Sequence, residues 1–233
     1  MNQPIYALGN VRDDPDWDRD DDWEIFSKFW ESLSLDTHMG DGGTYRRRRY
    51  STVLLDGEGG VAQRIDHDGF LQSREINRLN GGVIRRFDPI DPALLDTAVV
   101  RQLLAHFTAR IENSAHGDRP QHPNRSQAPI RRVNIHQHRI TATRTSSGNP
   151  TPEGVHRDGV EHIVMMLVAR KDISGGSSTL HDNDGKPLLT HTLTSPGDYI
   201  FLEDRTCMHS ASPVTAAPSA AEGHRDMFFL EFC

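Results

Sequence analysis

The chain has few cysteines and few apolar residues. Of its 233 residues only Cys207 and Cys233 are cysteines, and they lack CxxC spacing, so neither a disulfide framework nor a structural zinc site is predicted. Hydrophobic residues make up 35% of the chain, and no run approaches the roughly 18–20 apolar residues of a membrane span. Residues 1–22 are acidic where a signal peptide would be basic and then apolar. We therefore expect a cytoplasmic protein without export or membrane insertion.

Positive charge is also scarce. Lysine and arginine number 26 against 33 aspartates and glutamates, for a formal net charge of −7. General affinity for nucleic acid or anionic membranes requires clustered positive charge, so neither is an expected partner. The run Arg46 to Arg49 is the exception, but on a strand its side chains alternate between faces. A solvated or ion-paired role is favoured for it, with one inward arginine meeting a carboxylate in the pocket as the alternative.

A histidine and an aspartate two residues apart are the main chemical signal. In an extended segment, residues i and i+2 project from the same face, so His156 and Asp158 can hold one metal ion. His209, in a later apolar segment, can supply a third ligand. Two imidazoles and one carboxylate form the facial triad of non-haem Fe(II) oxygenases, which leaves positions open for substrate and oxygen. His156, Asp158 and His209 are thus the candidate metal and catalytic residues.

The His-x-Asp pattern is weak evidence when it stands alone. It also occurs at residues 116–118 and 224–226 in a chain with 13 histidines. Residues 116–118 lie in a polar, proline-containing stretch, and His224 has no histidine after it. His156 and Asp158 differ because they precede a long apolar strand, residues 163–168, and a later histidine. This context favours the metal site over an exposed loop histidine beside an ion-paired aspartate.

The order of elements predicts a mainly β fold with flanking helices. An aromatic stripe over residues 23–33 indicates an N-terminal helix, and Asp91-Pro92 begins a second helix that packs on a sheet near residues 92–113. Short strands separated by turns follow from residue 161, a pattern typical of a sandwich or barrel. We predict a double-stranded β-helix, or cupin-like jelly roll. One domain, 1–233, would then comprise a helical region, 1–44, and a jelly-roll core, 45–233.

One predicted strand, residues 130–141, carries polar groups on a single face. Gln137 and Arg139 share that face with Val133 and Ile135. If it faces the barrel interior, an anionic ligand would satisfy both polar groups. If it faces outward, solvent satisfies them, and the pattern does not decide between the two.

Longer motifs resemble a known family. Residues 152–159, Pro-Glu-Gly-Val-His-Arg-Asp-Gly, are more specific than the bare triad, and they are accompanied by motifs at 136–140, 170–176, 196–198 and 224–226. Over residues 45–232 the sequence resembles the Fe(II)/2-oxoglutarate dioxygenases, and among them the small bacterial free L-amino-acid hydroxylases of the L-isoleucine 4-hydroxylase type. The resemblance implies Fe(II) as cofactor and hydroxylation of an unactivated carbon of a free amino acid or close derivative, with 2-oxoglutarate and O2 consumed and succinate and CO2 released.

The resemblance also implies roles for residues outside the triad. Arg225 resembles the arginine that binds the far carboxylate of 2-oxoglutarate, which a bidentate guanidinium suits, and Gln137 is a second candidate for cosubstrate binding. A free amino acid needs a cation for its carboxylate, for which we consider Arg139 or Arg144. It also needs an acceptor for its ammonium group, for which we consider Glu153.

The sequence departs from the wider family at two positions. Met227 stands where many relatives have a serine or threonine two residues after the arginine, so another hydroxyl must complete the cosubstrate pocket or the pocket lacks one. His138 stands where an aromatic residue is common. The carboxylate of Asp158 is retained, which argues against the halogenating branch.

Four other functions stay open at this point. A cupin-type metal enzyme would need no 2-oxoglutarate, a ligand-binding module would carry a vestigial iron site, and a peptidyl hydroxylase would have an open groove. Within the oxygenase interpretation, desaturation or cyclisation can replace hydroxylation. The sequence indicates neither the particular substrate nor the oligomeric state.

Overall fold

Antiparallel strands dominate the fold. The chain is described by a computed structural model over residues 5–18, 22–56, 59–65, 69–115 and 131–233. Its strands are β1 (Tyr6–Asn10), β2 (Ser34–Leu35), β3 (Arg46–Leu55), β4 (Val61–Ile65), β5 (Arg131–Thr143), β6 (His162–Lys171), β7 (Ile173–Gly175), β8 (Ser178–His181), β9 (Pro187–His191), β10 (Asp198–Glu203), β11 (Met208–Ala211), β12 (Val214–Ala216) and β13 (Glu222–Phe232).

The strands form one large sheet and two small ones. The large sheet has the order β1-β10-β6-β13-β5-β3-β2, with β4 also paired to β3, and the small sheets are β11-β8-β9 and β12-β7. A cluster of apolar residues packs between the large sheet and β8, and it includes Met165, Leu180 and Ile200. This is the predicted jelly-roll core.

The helices cover the other face of the large sheet. They are α1 (Trp23–Lys28), which continues as a 3-10 turn (Phe29–Ser32), α2 (Pro92–Leu95) and α3 (Ala98–Ala115). The rings of Phe26 and Trp30 meet Phe228 of β13 edge-on, with centroids 5.4 and 5.9 Å apart. The aromatic stripe is therefore core packing, as the helical spacing indicated.

The predicted second helix is divided in two. Asp91 caps α2 by accepting a hydrogen bond from the Ala93 N–H. The carboxylate of Asp22 accepts from the N–H groups of Ala98 and Val99, which provides a separate N-terminus for α3. The apolar spacing predicted one continuous helix, but the side chain of Asp22, which is distant in sequence, caps the start of a second one.

One local prediction is corrected. The apolar content of residues 199–214, with Gly197 and Pro213 as turn residues, predicts two strands paired with each other. Two strands form there, but β10 pairs with β1 and β6 whereas β11 pairs with β8. The polar connection predicted at 114–129 lies outside the described residues beyond Ala115, as does the pattern at 116–118. Within the described ranges no helix is long and apolar enough to cross a membrane.

Candidate active site

His156, Asp158 and His209 meet at one end of the jelly roll. An isolated antiparallel bridge joins His156 to His209, with backbone N–O distances of 3.0 and 2.9 Å. The two oxygens of Asp158 lie 3.6 Å from His156 Nε2 and 3.5 Å from His209 Nε2, and the three ligand atoms all lie within 4.8 Å of one another. The three side chains are therefore close enough for one metal ion to contact all of them.

Each of the two imidazoles can turn one nitrogen towards a metal. His156 Nδ1 lies 2.9 Å from the Gly154 carbonyl; because a carbonyl only accepts, Nδ1 carries a proton and Nε2 is the nitrogen left to face a metal. Burial acts to lower the pKa of His156, but the charges of Asp158 and Glu153 outweigh it and raise that pKa. Burial, with the nearby His156, holds the pKa of His209 well below its usual range, so that this ring is neutral. Burial, with the charge of Glu231, raises the pKa of Asp158. A largely covered carboxylate between two imidazoles fits a divalent cation.

Two side chains behind Asp158 fix its position. Gln72 Nε2 donates to Asp158 Oδ1 at 3.3 Å, and Gln72 Oε1 accepts from Arg85 Nη2 at 2.7 Å. Asp204, just after β10, accepts from the N–H groups of Asp158, Gly159 and Val160 at 3.2, 2.7 and 3.2 Å. Burial raises the pKa of Asp204 to about 6. Both contacts orient the ligand without touching the metal position.

We expect Asp204→Asn to weaken metal affinity about 10- to 100-fold, the range typical for partners that orient metal ligands. The amide keeps one oxygen for three N–H donors and loses the negative charge. Anaerobic titration with Fe(II) measures the effect. Asp198→Asn is the matched control, because Asp198 also accepts backbone N–H bonds, from Thr194 and Ser195, at the far end of β10. Equal losses in both variants would show a general effect on the fold.

Arg225 is a buried cation in the same pocket. It is 3% exposed, and it forms no ion pair with the described residues. Its Nε has no hydrogen-bond partner. Burial, together with the charge of Arg170, lowers its pKa to about 10. An unpaired, desolvated guanidinium of this kind matches an anionic ligand.

The pocket around these residues has a cavity volume of about 80 Å³. The large sheet supplies alternate residues of β3, β5 and β13 together with Met165 of β6, and the loops and β8 and β11 supply the rest. Its polar lining includes Arg46, Arg48, Gln72, Asn77, Arg85, His136, His138, Glu153, Ser178, Ser210, Arg225 and Glu231.

Glu153 also reaches the pocket, on the side of His156. Its Oε1 lies 3.6 Å from His156 Nε2 and accepts from Asn77 Nδ2 at 3.4 Å. Its buried Oε2 has no hydrogen-bond partner. Glu153 thus presents a free acceptor beside the triad.

Gln137, Arg139 and Arg144 do not reach the pocket, and these placements correct the sequence analysis. The face of β5 that carries Gln137 and Arg139 packs towards the helices, and Gln137 is buried there at 0% exposure. Arg139 donates to both oxygens of Asp226, at 2.7 and 2.8 Å, and also contacts Glu31. Arg144 is exposed and donates to the Ala220 carbonyl. The sequence correctly predicted that Gln137 and Arg139 share one face of β5. Which face of the strand points into the pocket depends on how the sheets and helices pack.

The sequence matches the family described as 2OG-Fe dioxygenase over residues 27–231. The chain belongs to the 2OG-Fe dioxygenase family. Fe(II), 2-oxoglutarate and O2 are therefore its cofactors and cosubstrates, and the alternative of a cupin-type enzyme without 2-oxoglutarate is set aside.

Solved structures resemble this 2OG-Fe dioxygenase along most of its length. A bsmA homolog from Methylobium petroleophilum PM1 has 27% identity and a TM-score of 0.75, and the match covers 90% of this chain and 80% of the homolog's chain. IDO from Bacillus thuringiensis has 15% identity and a TM-score of 0.68, with coverage of 98% and 90%. The Fe(II)/(alpha)ketoglutarate-dependent dioxygenase TqaL has 19% identity and a TM-score of 0.64, with coverage of 97% and 82%. The last two show the fold alone. No protein with a curated description matches the chain.

The sequence analysis missed several residues that line the pocket of this 2OG-Fe dioxygenase or support its metal ligands. Gln72, Asp204 and Ser178 carry no motif, since each reaches the site through a loop or strand distant from His156 along the chain. Arg48 could be found, because strand alternation in the run of four arginines places Arg46 and Arg48 on one face. Both are buried, whereas Arg47 and Arg49 lie on the other face.

Proposed function

We propose that the protein hydroxylates an unactivated carbon of a free L-amino acid or a close derivative, releasing succinate and CO2. The observation that carries this proposal is the unpartnered Glu153 Oε2 beside His156, in a small pocket that also contains buried guanidinium groups. An acceptor for an ammonium group and cations for carboxylates match a zwitterion together with 2-oxoglutarate. The small volume of the pocket also favours a free small molecule over a peptide.

Each polar group has a separate task in this proposal. His156, Asp158 and His209 hold Fe(II), which with 2-oxoglutarate and O2 supplies the oxidising chemistry. Arg225 binds the far carboxylate of 2-oxoglutarate. Ser178, a buried residue of β8 that lines the pocket, supplies the hydroxyl that Met227 lacks. Glu153 accepts from the substrate ammonium group.

A panel of free L-amino acids tests the substrate class. The Fe(II)-loaded protein is given 2-oxoglutarate and O2 with each amino acid, and succinate and product mass are measured. We expect at least one amino acid to stimulate succinate release and to gain one oxygen atom. Glu153→Gln is expected to raise the KM for that amino acid about 10-fold or more, since hydrogen bonds to charged groups contribute about 1.5–3 kcal/mol.

Two other results would change the proposal. A product that loses two hydrogen atoms without gaining oxygen would indicate desaturation or cyclisation. Stimulation by peptides, with none by any free amino acid, would contradict the proposed substrate class while leaving the family chemistry intact.

A further inference from the structure

Two more arginines of the pocket lack an acidic partner. Arg48 on β3 is 4% exposed and Arg85, in the loop after β4, is 2% exposed. No carboxylate of the described residues lies within 4 Å of either guanidinium, and the Nε atoms of both are buried without a hydrogen-bond partner. Burial lowers the pKa of both side chains, that of Arg48 to about 9. A buried charge without a counter-ion costs several kcal/mol.

The neighbouring Arg46 shows what an internally neutralised arginine looks like in this pocket. Its Nε and Nη2 both lie 2.8 Å from Asp36 Oδ2. Arg48 instead lies 2.6 Å from His136 Nδ1, and Arg85 donates to the neutral amide of Gln72. His136 in turn lies 2.9 Å from Glu231, so an imidazole stands between Arg48 and that carboxylate. Asp36 acts on both Arg48 and Arg85 through its charge, but it forms its ion pair with Arg46.

The two guanidinium groups contact the same two aromatic rings. Arg48 lies 4.0 Å from the ring centroid of Phe87 and 5.7 Å from that of Phe70. Arg85 lies 4.9 Å from the centroid of Phe70 and 6.0 Å from that of Phe87. The attraction between a cation and an aromatic ring stabilises both groups in this position. The shared rings place both arginines in one part of the pocket.

The pair is close to the triad but distant from Arg225. Arg85 contacts the amide of Gln72, whose other end donates to Asp158, so one amide group separates it from a metal ligand. Arg225 lies on β13, and β5 separates β13 from β3. Two strand spacings amount to about 10 Å. The two cationic sites therefore lie on different sides of the pocket.

We propose that Arg48 and Arg85 bind the carboxylate of the substrate, while Arg225 serves the cosubstrate. The inference rests on the proposed function, which supplies a substrate with a carboxylate, and it replaces Arg139 and Arg144 in that role. With Glu153 it accounts for both charges of a zwitterion. The carboxylate of the substrate supplies the counter-charge that both arginines lack in the protein itself.

Two rival roles for Arg85 give different results. If Arg85 only positions Gln72, its loss would weaken the metal site and leave the choice of substrate unchanged. If the pair binds 2-oxoglutarate, its loss would raise the KM for 2-oxoglutarate. Comparing an amino acid with its carboxamide separates these roles, because only the carboxylate binding site distinguishes the two ligands.

The experiment uses the Fe(II)- and 2-oxoglutarate-loaded protein, titrated anaerobically by calorimetry with each amino acid of the panel and its carboxamide. We expect the wild-type protein to bind its best acid at least about 10-fold more tightly than the amide. Arg48→Met and Arg85→Met should each weaken binding of the acid about 10-fold or more, change binding of the amide less than about 3-fold, and leave the KM for 2-oxoglutarate within about 2-fold. Gln72→Met is the matched control: it removes the hydrogen bonds of Gln72 to both Asp158 and Arg85 but leaves both guanidinium groups in place, and it should keep the preference for the acid.

Each contrary result has a definite meaning. An Arg85→Met protein that keeps the wild-type preference for the acid, or that raises the KM for 2-oxoglutarate instead, overturns the inference. If no amino acid is turned over, the proposed function fails, and the same acid and amide titrations are made with 2-hydroxy acids and dipeptides. A preference for acids that both methionine variants abolish then still supports the arginine pair. Equal binding of acids and amides throughout overturns it.

Discussion

Replacing Asp158 by alanine is expected to abolish substrate-dependent succinate release, with a loss of at least about 100-fold. Loss of a group that only orients a ligand typically costs 10- to 100-fold, so loss of the ligand itself should cost more. Asp158 lies between the two imidazoles, at 3.6 and 3.5 Å, and alanine leaves them without the one negative charge of the triad. Succinate release and anaerobic Fe(II) titration measure the two parts of the effect.

Asp118→Ala is a matched control for this substitution. Asp118 belongs to the same His-x-Asp pattern, at residues 116–118, and we expect the variant to keep wild-type activity and iron affinity. Thermal unfolding of both variants separates a local effect from loss of the fold. An Asp158→Ala protein with normal iron affinity and turnover would refute the assignment of the triad.

The second large effect is expected at Arg225. Arg225→Met should raise the KM for 2-oxoglutarate about 10- to 150-fold, because hydrogen bonds to a charged group contribute about 1.5–3 kcal/mol. The KM for the amino acid should change little. The variant should also be at least as thermally stable as the wild type without ligands, since methionine removes an unpaired buried charge. Steady-state kinetics with varied 2-oxoglutarate and thermal unfolding measure the two effects.

Arg170→Met provides the comparison for Arg225. The two arginines are cross-strand partners, but Arg170 donates to the carbonyl of Gly175. We therefore expect the KM of the Arg170→Met enzyme for 2-oxoglutarate to stay within about 3-fold of the wild-type value. Arg225→Lys keeps the charge without the bidentate geometry and should give an intermediate KM. A lower melting temperature in Arg225→Met with an unchanged KM would assign Arg225 a structural role.

Local sequence patterns predicted the elements that depend on local physics. The apolar period of residues 92–113 predicted helix because side chains three and four residues apart share one face. The alternation of residues 130–141 correctly placed Gln137 and Arg139 together on one face of β5. The same rule placed Arg46 and Arg48 together on β3. Neither pattern reveals which face of a strand the rest of the chain will cover.

Long-range contacts decided what the patterns left open. The helices cover the face with Gln137 and Arg139, so Arg139 pairs with Asp226 and Glu31 instead of meeting a ligand. Asp22 caps a helix far along the chain, and Asp204 fixes the backbone of Asp158. These partners are distant in sequence, and no spacing rule connects them.

The sequence by itself determined the chemistry of the metal site, because His156 and Asp158 are two residues apart and residues 152–159 form a specific motif. It also determined the mainly β fold, because period-2 and period-3.6 patterns follow from backbone geometry. Only the tertiary structure decided which cations face the pocket. The free-energy cost of burying a guanidinium depends on whether a carboxylate from elsewhere in the chain lies beside it. Asp36 neutralises Arg46, whereas no carboxylate of the described residues lies within 4 Å of the guanidinium groups of Arg48, Arg85 and Arg225.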